Sequence, residues 1–135
     1  MTVSLPFDLR PEGPRELASG VDALYLSGRA ALPADLLAQL NALRLTADQQ
    51  EGPVETVLGG LVMQLQPRKW GLYRYCLDHP YARIGFSPKD RIPAIRVQPR
   101  AEFLHGAGVE NVVEWARSLL ESECGPVLLG TCQVF

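Results

Sequence analysis

Between Gly52-Pro53 and Arg100 the chain is cut at short intervals by turn-forming residues: Pro67-Arg68-Lys69, Asp78-His79-Pro80 and Pro88-Lys89-Asp90-Arg91. The segments between these breaks alternate between apolar and polar positions, the period-2 pattern of strands. Glu55–Gln66 is expected to be one strand, with Gly59-Gly60 marking a bulge or bend within it. Gly71–Asp78 sets Tyr73, Tyr75 and Leu77 against Leu72, Arg74 and Cys76. Tyr81–Ser87 places Ala82, Ile84 and Phe86 on one side, and Ala94–Gln98 places Ile95 and Val97 opposite Arg96 and Gln98. Turns this short join neighbouring strands, so the region reads as an antiparallel meander.

The flanks supply the remaining elements. Val21–Arg29 alternates, with Leu24 and Leu26 on one side and Tyr25 on the other. Pro33 opens a helix whose stripe is Leu36, Leu37, Leu40, Leu43 and Leu45, with Asp35 near the positive end of its dipole. A second helix is expected over Val109–Glu121, with Val112, Val113, Ala116, Leu119 and Leu120 as its apolar face and Gly125-Pro126 ending it. The fold class is therefore α+β: an antiparallel sheet of about four to five strands with two helices packed on one face, in the order β-α-β-β-β-β-α. A length of 135 residues suits one domain with a single core, read as 21–135, preceded by a flexible arm over 1–20 that is rich in Pro and Gly. Val127–Phe135 is apolar and β-prone: it completes the sheet, or the chain is truncated there and leaves an open edge.

Charge is distributed unevenly. Arg68 to Arg100 holds eight basic residues, Arg68, Lys69, Arg74, Arg83, Lys89, Arg91, Arg96 and Arg100, against two acids, Asp78 and Asp90, in a chain of net charge −2. Trp70, Tyr73, Tyr75, Tyr81 and Phe86 are interleaved with them. A basic band rich in aromatics fits a polyanion-facing surface, where Arg and Lys exchange condensed counterions for phosphate contacts, and Trp70 beside Arg68 and Lys69 is placed to stack on an unpaired base. The same band also reads as the solvated face of alternating strands, with Arg keeping sheet edges soluble.

Motifs for chemistry are missing. Gly59-Gly60 and Gly106-Ala107-Gly108 lack the lysine and spacing of a phosphate loop. His79 reads as a turn residue and His105 as a loop or helix-start residue; neither has a second histidine at metal-ligand spacing, so no metal, cofactor or catalytic residue is expected. Cys76, Cys124 and Cys132 form neither a disulfide framework nor a zinc pattern, which is consistent with a reducing cytoplasm. No apolar run is long enough to span a bilayer, and Met1–Gly20 does not read as a secretory signal.

Three stretches resemble plasmid and phage replication initiation factors of the rolling-circle type: Val21-Asp22-Ala23-Leu24-Tyr25-Leu26-Ser27, the strand pair Tyr81–Ser87 and Ala94–Gln98, and Ala101-Glu102-Phe103-Leu104 leading through Gly108 into Val109–Leu120. The resemblance covers residues 21–125. It implies a sheet with helices on one face, in proteins that recognise and nick an origin. In that family a strand carrying Arg and Asp follows the second helix, and a nucleophilic tyrosine lies further on. Gln133-Val134-Phe135 does not match, so no catalytic residue carries over. The expectation is the DNA-binding N-terminal portion of an initiator, lacking the nicking site, with phosphate contacts from Arg68, Lys69, Arg74, Arg83, Lys89, Arg91, Arg96 and Arg100 and a base stacked on Trp70. The alternative is a protein-interaction or homodimerisation domain that pairs through Val127–Phe135 and has no nucleic-acid role.

Overall fold

The computed structural model describes residues 23–89 and 91–134. The expected arm and the first two residues of the expected opening strand lie outside them. Among the described residues, seven strands form one antiparallel sheet with three helices on one side of it. In chain order these are β1 (Ala23–Arg29), α1 (Ala34–Gln50), β2 (Val54–Leu58), β3 (Leu61–Leu65), β4 (Tyr75–Asp78), β5 (Ala82–Phe86), β6 (Ile95–Pro99), α2 (Ala101–Ala107), α3 (Val109–Cys124) and β7 (Leu128–Val134). The α+β class and the meander both hold, since β2 to β6 lie side by side in the order β2-β3-β4-β5-β6-β1-β7. The first strand joins the far end of the meander, Leu26 opposite Val97, and β7 pairs along its other side.

Two findings make the sheet larger than four to five strands. Gly59 and Gly60 have φ of 59° and 81°, the paired positive values that a two-residue I′ hairpin turn requires. Residues 55–66 are therefore a hairpin rather than one bent strand, with Val57 opposite Val62. A side chain on Gly59 would collide with Leu119, and the Gly59 N–H donates to the Glu123 carboxylate at 2.8 Å, so this turn docks on α3. The second addition is β7, formed by the apolar stretch after Gly125-Pro126.

The expected strand over 71–78 is also shorter. Its ladder to β3 ends where the Gln66 N–H donates to the Cys76 carbonyl; beyond that, Trp70 and Tyr73 exchange backbone hydrogen bonds of 2.8 and 2.9 Å around Gly71-Leu72. This tight turn breaks the alternation. Tyr75 and Leu77 belong to the core, whereas Tyr73 packs on Gly85 on the opposite face. The second expected helix runs on to Cys124, and α2 precedes it, so His105 lies in a helical last turn rather than in a loop or at a helix start. Leu45 is 55% exposed, because five residues beyond Leu40 falls off the helical stripe that Ala47 continues.

The core lies between sheet and helices. Leu24, Leu26, Leu65, Leu77, Ile84, Phe86, Ile95 and Val97 from the strands are fully buried in one cluster with Leu40, Val112, Ala116 and Leu120 from the helices. The alternate residues of the same strands point to the helix-free face.

Candidate nucleic-acid interface

The cross-strand register assembles the helix-free face. Cys76 pairs with Gly85 and Asp78 with Arg83; Gly85 in turn pairs with Arg96 and Arg83 with Gln98, and Ser27 lies opposite Arg96 on the next strand. Gly85 leaves a gap in this row. A Cβ there would lie 2.8 Å from Tyr73 Cβ and 2.9 Å from Trp70 Cε3, so only glycine lets the 66–74 connection fold flat onto the sheet.

That placement creates a layered stack. The Arg96 guanidinium lies 4.3 Å from the Tyr25 ring centroid and 5.0 Å from that of Trp70, so it packs against both rings. Arg83 lies 5.7 Å from the Trp70 ring. Contacts of this kind draw a cation to the negative face of the ring and hold it without neutralising it. Beside the stack is a cavity of about 390 Å³, lined by Arg68, Lys69, Trp70 and Arg83 together with Gln66, Cys76 and Asp78.

Asp78 balances part of this charge. Its carboxylate accepts from Arg83 Nε at 2.8 Å, from Arg100 Nη2 at 3.4 Å and from Gln66 Nε2 at 3.0 Å. The hydrogen bond that Arg83 donates to Asp78 holds the guanidinium still more firmly in its charged form. One carboxylate thus serves two guanidiniums, while Arg68, Lys69 and Arg96 form no ion pair among the described residues. Burial, with Asp78 nearby, pushes the Cys76 thiol up to about 11, which makes it a poor nucleophile. Burial also raises the Tyr73 phenol, against the opposing pull of Arg96. Among the described residues no group of three or more His, Cys, Asp or Glu could hold a metal ion.

Of the nine residues named from the sequence, the fold gathers Arg68, Lys69, Trp70, Arg83 and Arg96 around this stack and cavity. Arg100 reaches its margin through Asp78 and donates from Nε to the His79 carbonyl. Arg74 lies apart: its guanidinium sits 5.9 Å from the ring of core residue Tyr75, whose hydroxyl reaches Asn41 of α1. Lys89 and Arg91 are exposed on the β5–β6 loop, outside the cavity lining. Tyr25, Asp78 and Gly85 were not singled out. Tyr25 was legible as the residue opposite Leu24 and Leu26, but no local signal marks the pairing of Asp78 or the seat at Gly85.

No family model matches the chain, and neither a curated protein nor a solved structure matches it. Among the described residues no helix is long and apolar enough to cross a membrane.

Proposed function

We propose that the helix-free face binds DNA and that the domain serves as the DNA-binding N-terminal portion of a rolling-circle replication initiator, without the nicking site. The observation that carries this reading is Arg96 packed against both Tyr25 and Trp70, beside a cavity rimmed by Arg68 and Lys69. A cation held between rings is pre-ordered for phosphate oxygens, so less side-chain freedom is lost on binding. The contacts are of the positioning kind, with the sequence resemblance supplying the replication context.

Fluorescence anisotropy with labelled single- and double-stranded DNA across a salt series tests it. Log affinity should fall linearly with log salt, by about 0.9 per duplex phosphate or 0.7 per single-strand phosphate neutralised. Arg96→Glu should weaken binding at least tenfold, while Arg74→Glu, outside the stack and the cavity, should change it less than threefold. Salt-independent binding, or equal effects of the two reversals, would sink the proposal.

A second reading has its own observation: β7 is the last strand of the sheet order, hydrogen-bonded among the described residues to β1 alone, and its first residue, Leu128, is 72% exposed. An unpaired edge can take a strand from another chain. A salt-insensitive dimer in sedimentation, with no affinity for DNA, would favour it.

A further inference from the structure

We propose that Arg44 is a positioning residue for the binding face: from the helix side of the sheet it fixes the connection that carries Arg68, Lys69 and Trp70, and so sets DNA affinity without contacting DNA. The inference rests on the DNA-binding reading of the helix-free face.

The 66–74 connection is secured at both ends of its backbone but open between them. The Gln66–Cys76 hydrogen bond closes the base, and the Trp70–Tyr73 pair closes the tip. The two arms part in between, and Arg44 of α1 fills the opening. Its Nε–H donates to the Pro67 carbonyl at 2.8 Å and an Nη1–H donates to the Arg74 carbonyl, also at 2.8 Å. One guanidinium thereby ties together the two arms, reaching 23 and 30 residues along the chain. Charged donors at this distance make the stronger class of hydrogen bond.

The other support lies across the sheet, where Trp70 and Tyr73 rest on Gly85. The connection is thus gripped between Arg44 on one side and the bare backbone of Gly85 on the other. Without Arg44, the arms lose their bridge and the tip keeps only its seat. Trp70 then drifts from Arg96 and Arg83, and Arg68 and Lys69 lose their fixed spacing. Lysine cannot replace this arrangement, because a single ammonium on a flexible stem lacks the rigid fork that spans two carbonyls.

Arg44→Lys and Arg44→Gln test the idea in a Trp115→Phe background, where fluorescence reports Trp70 alone of the two tryptophans. Acrylamide quenching of the free protein should rise at least twofold in both variants. DNA affinity should fall about tenfold in both, with the salt slope unchanged because no phosphate contact is lost. Far-UV circular dichroism checks the fold, and the lysine variant carries the test if the glutamine variant unfolds. Full affinity in Arg44→Lys would show that charge alone matters. A salt slope reduced by about one phosphate would make Arg44 a DNA contact. Unchanged quenching would remove the positioning role. Each of these outcomes overturns the proposal. If the parent protein fails to bind DNA, the functional reading falls while the quenching still reports on the connection; increased quenching with unaltered affinity overturns only the role of Arg44.

Discussion

The two faces of the sheet are built from the same strands yet behave as different materials. On the covered face Leu26, Val97, Ile84 and Leu77 lie in adjacent strands and are fully buried against α1 and α3. On the other face the intervening positions hold Arg96, Arg83 and Asp78, partly buried and linked by ion pairs and ring contacts. The covered face is fixed by volume, whereas the helix-free face is fixed by directional contacts around the bare backbone of Gly85. A substitution one residue along the same strand should therefore change a different property.

The sharpest contrast is within β5. Phe86→Ala empties a fully buried site and should cost about 3–5 kcal/mol in chemical denaturation, with the folded fraction binding DNA as before. Gly85→Ala, one residue away, adds a methyl group that meets Tyr73 at its Cβ, where the side chain has little freedom to yield, and Trp70 at its ring. It should cost about 1–3 kcal/mol and weaken DNA binding as well, because the displaced connection carries Arg68 and Lys69. If Gly85→Ala left both properties unchanged, the two faces would not be mechanically distinct in the way described.

Asp78→Asn separates the faces in another way. Arg83 is 40% and Asp78 17% exposed, so the lost pairing should cost no more than about 1 kcal/mol after solvent screening. Removing the carboxylate leaves two guanidiniums without their counter-charge, and DNA affinity should rise by about threefold, with a steeper salt slope. Weaker binding would show instead that Asp78 matters by holding its arginines in place.

The smallest effect is expected at His79, between the two faces at the β4–β5 turn. Burial first, and Arg100 second, lower its pKa from 6.5. Its Nδ1 accepts from the Tyr81 N–H at 3.0 Å, which requires an unprotonated nitrogen there. The unfolded chain thus binds the proton more readily than the folded one, so this contribution is full above pH 6.5 and is lost as pH falls toward the lowered folded value. His79→Gln should flatten that slope in denaturation midpoints measured from pH 5 to 7; an unchanged slope would mean the ring does not titrate on unfolding.

Much of this architecture was legible in the chain. The alternation of Leu24, Tyr25 and Leu26 assigned β1 and its faces, Pro33 and the leucine stripe placed α1, and the short turns after Asp78 and Phe86 required antiparallel neighbours. The candidate site was readable as a set of residue types, with Arg83 and Arg96 on one side of their strands, and less so as a place. Arg74 seemed equivalent to Arg96 because both alternate with apolar residues, yet a tight turn just before β4 breaks the period there. Gly59-Gly60 reads locally as either a bulge or a hairpin turn, and packing against Leu119 and Glu123 favours the hairpin.

The sequence by itself determined the helix and strand periodicities, the composition of the core and the concentration of cations between Arg68 and Arg100, because these depend on neighbours a few positions apart. Only the tertiary structure decided that β1 lies beside β6, that one aspartate restrains Arg83 and Arg100, and that Arg44 reaches across to Pro67 and Arg74. Those outcomes depend on contacts between distant segments, whose partners are set by the shape of the folded sheet and leave no periodic trace in the chain.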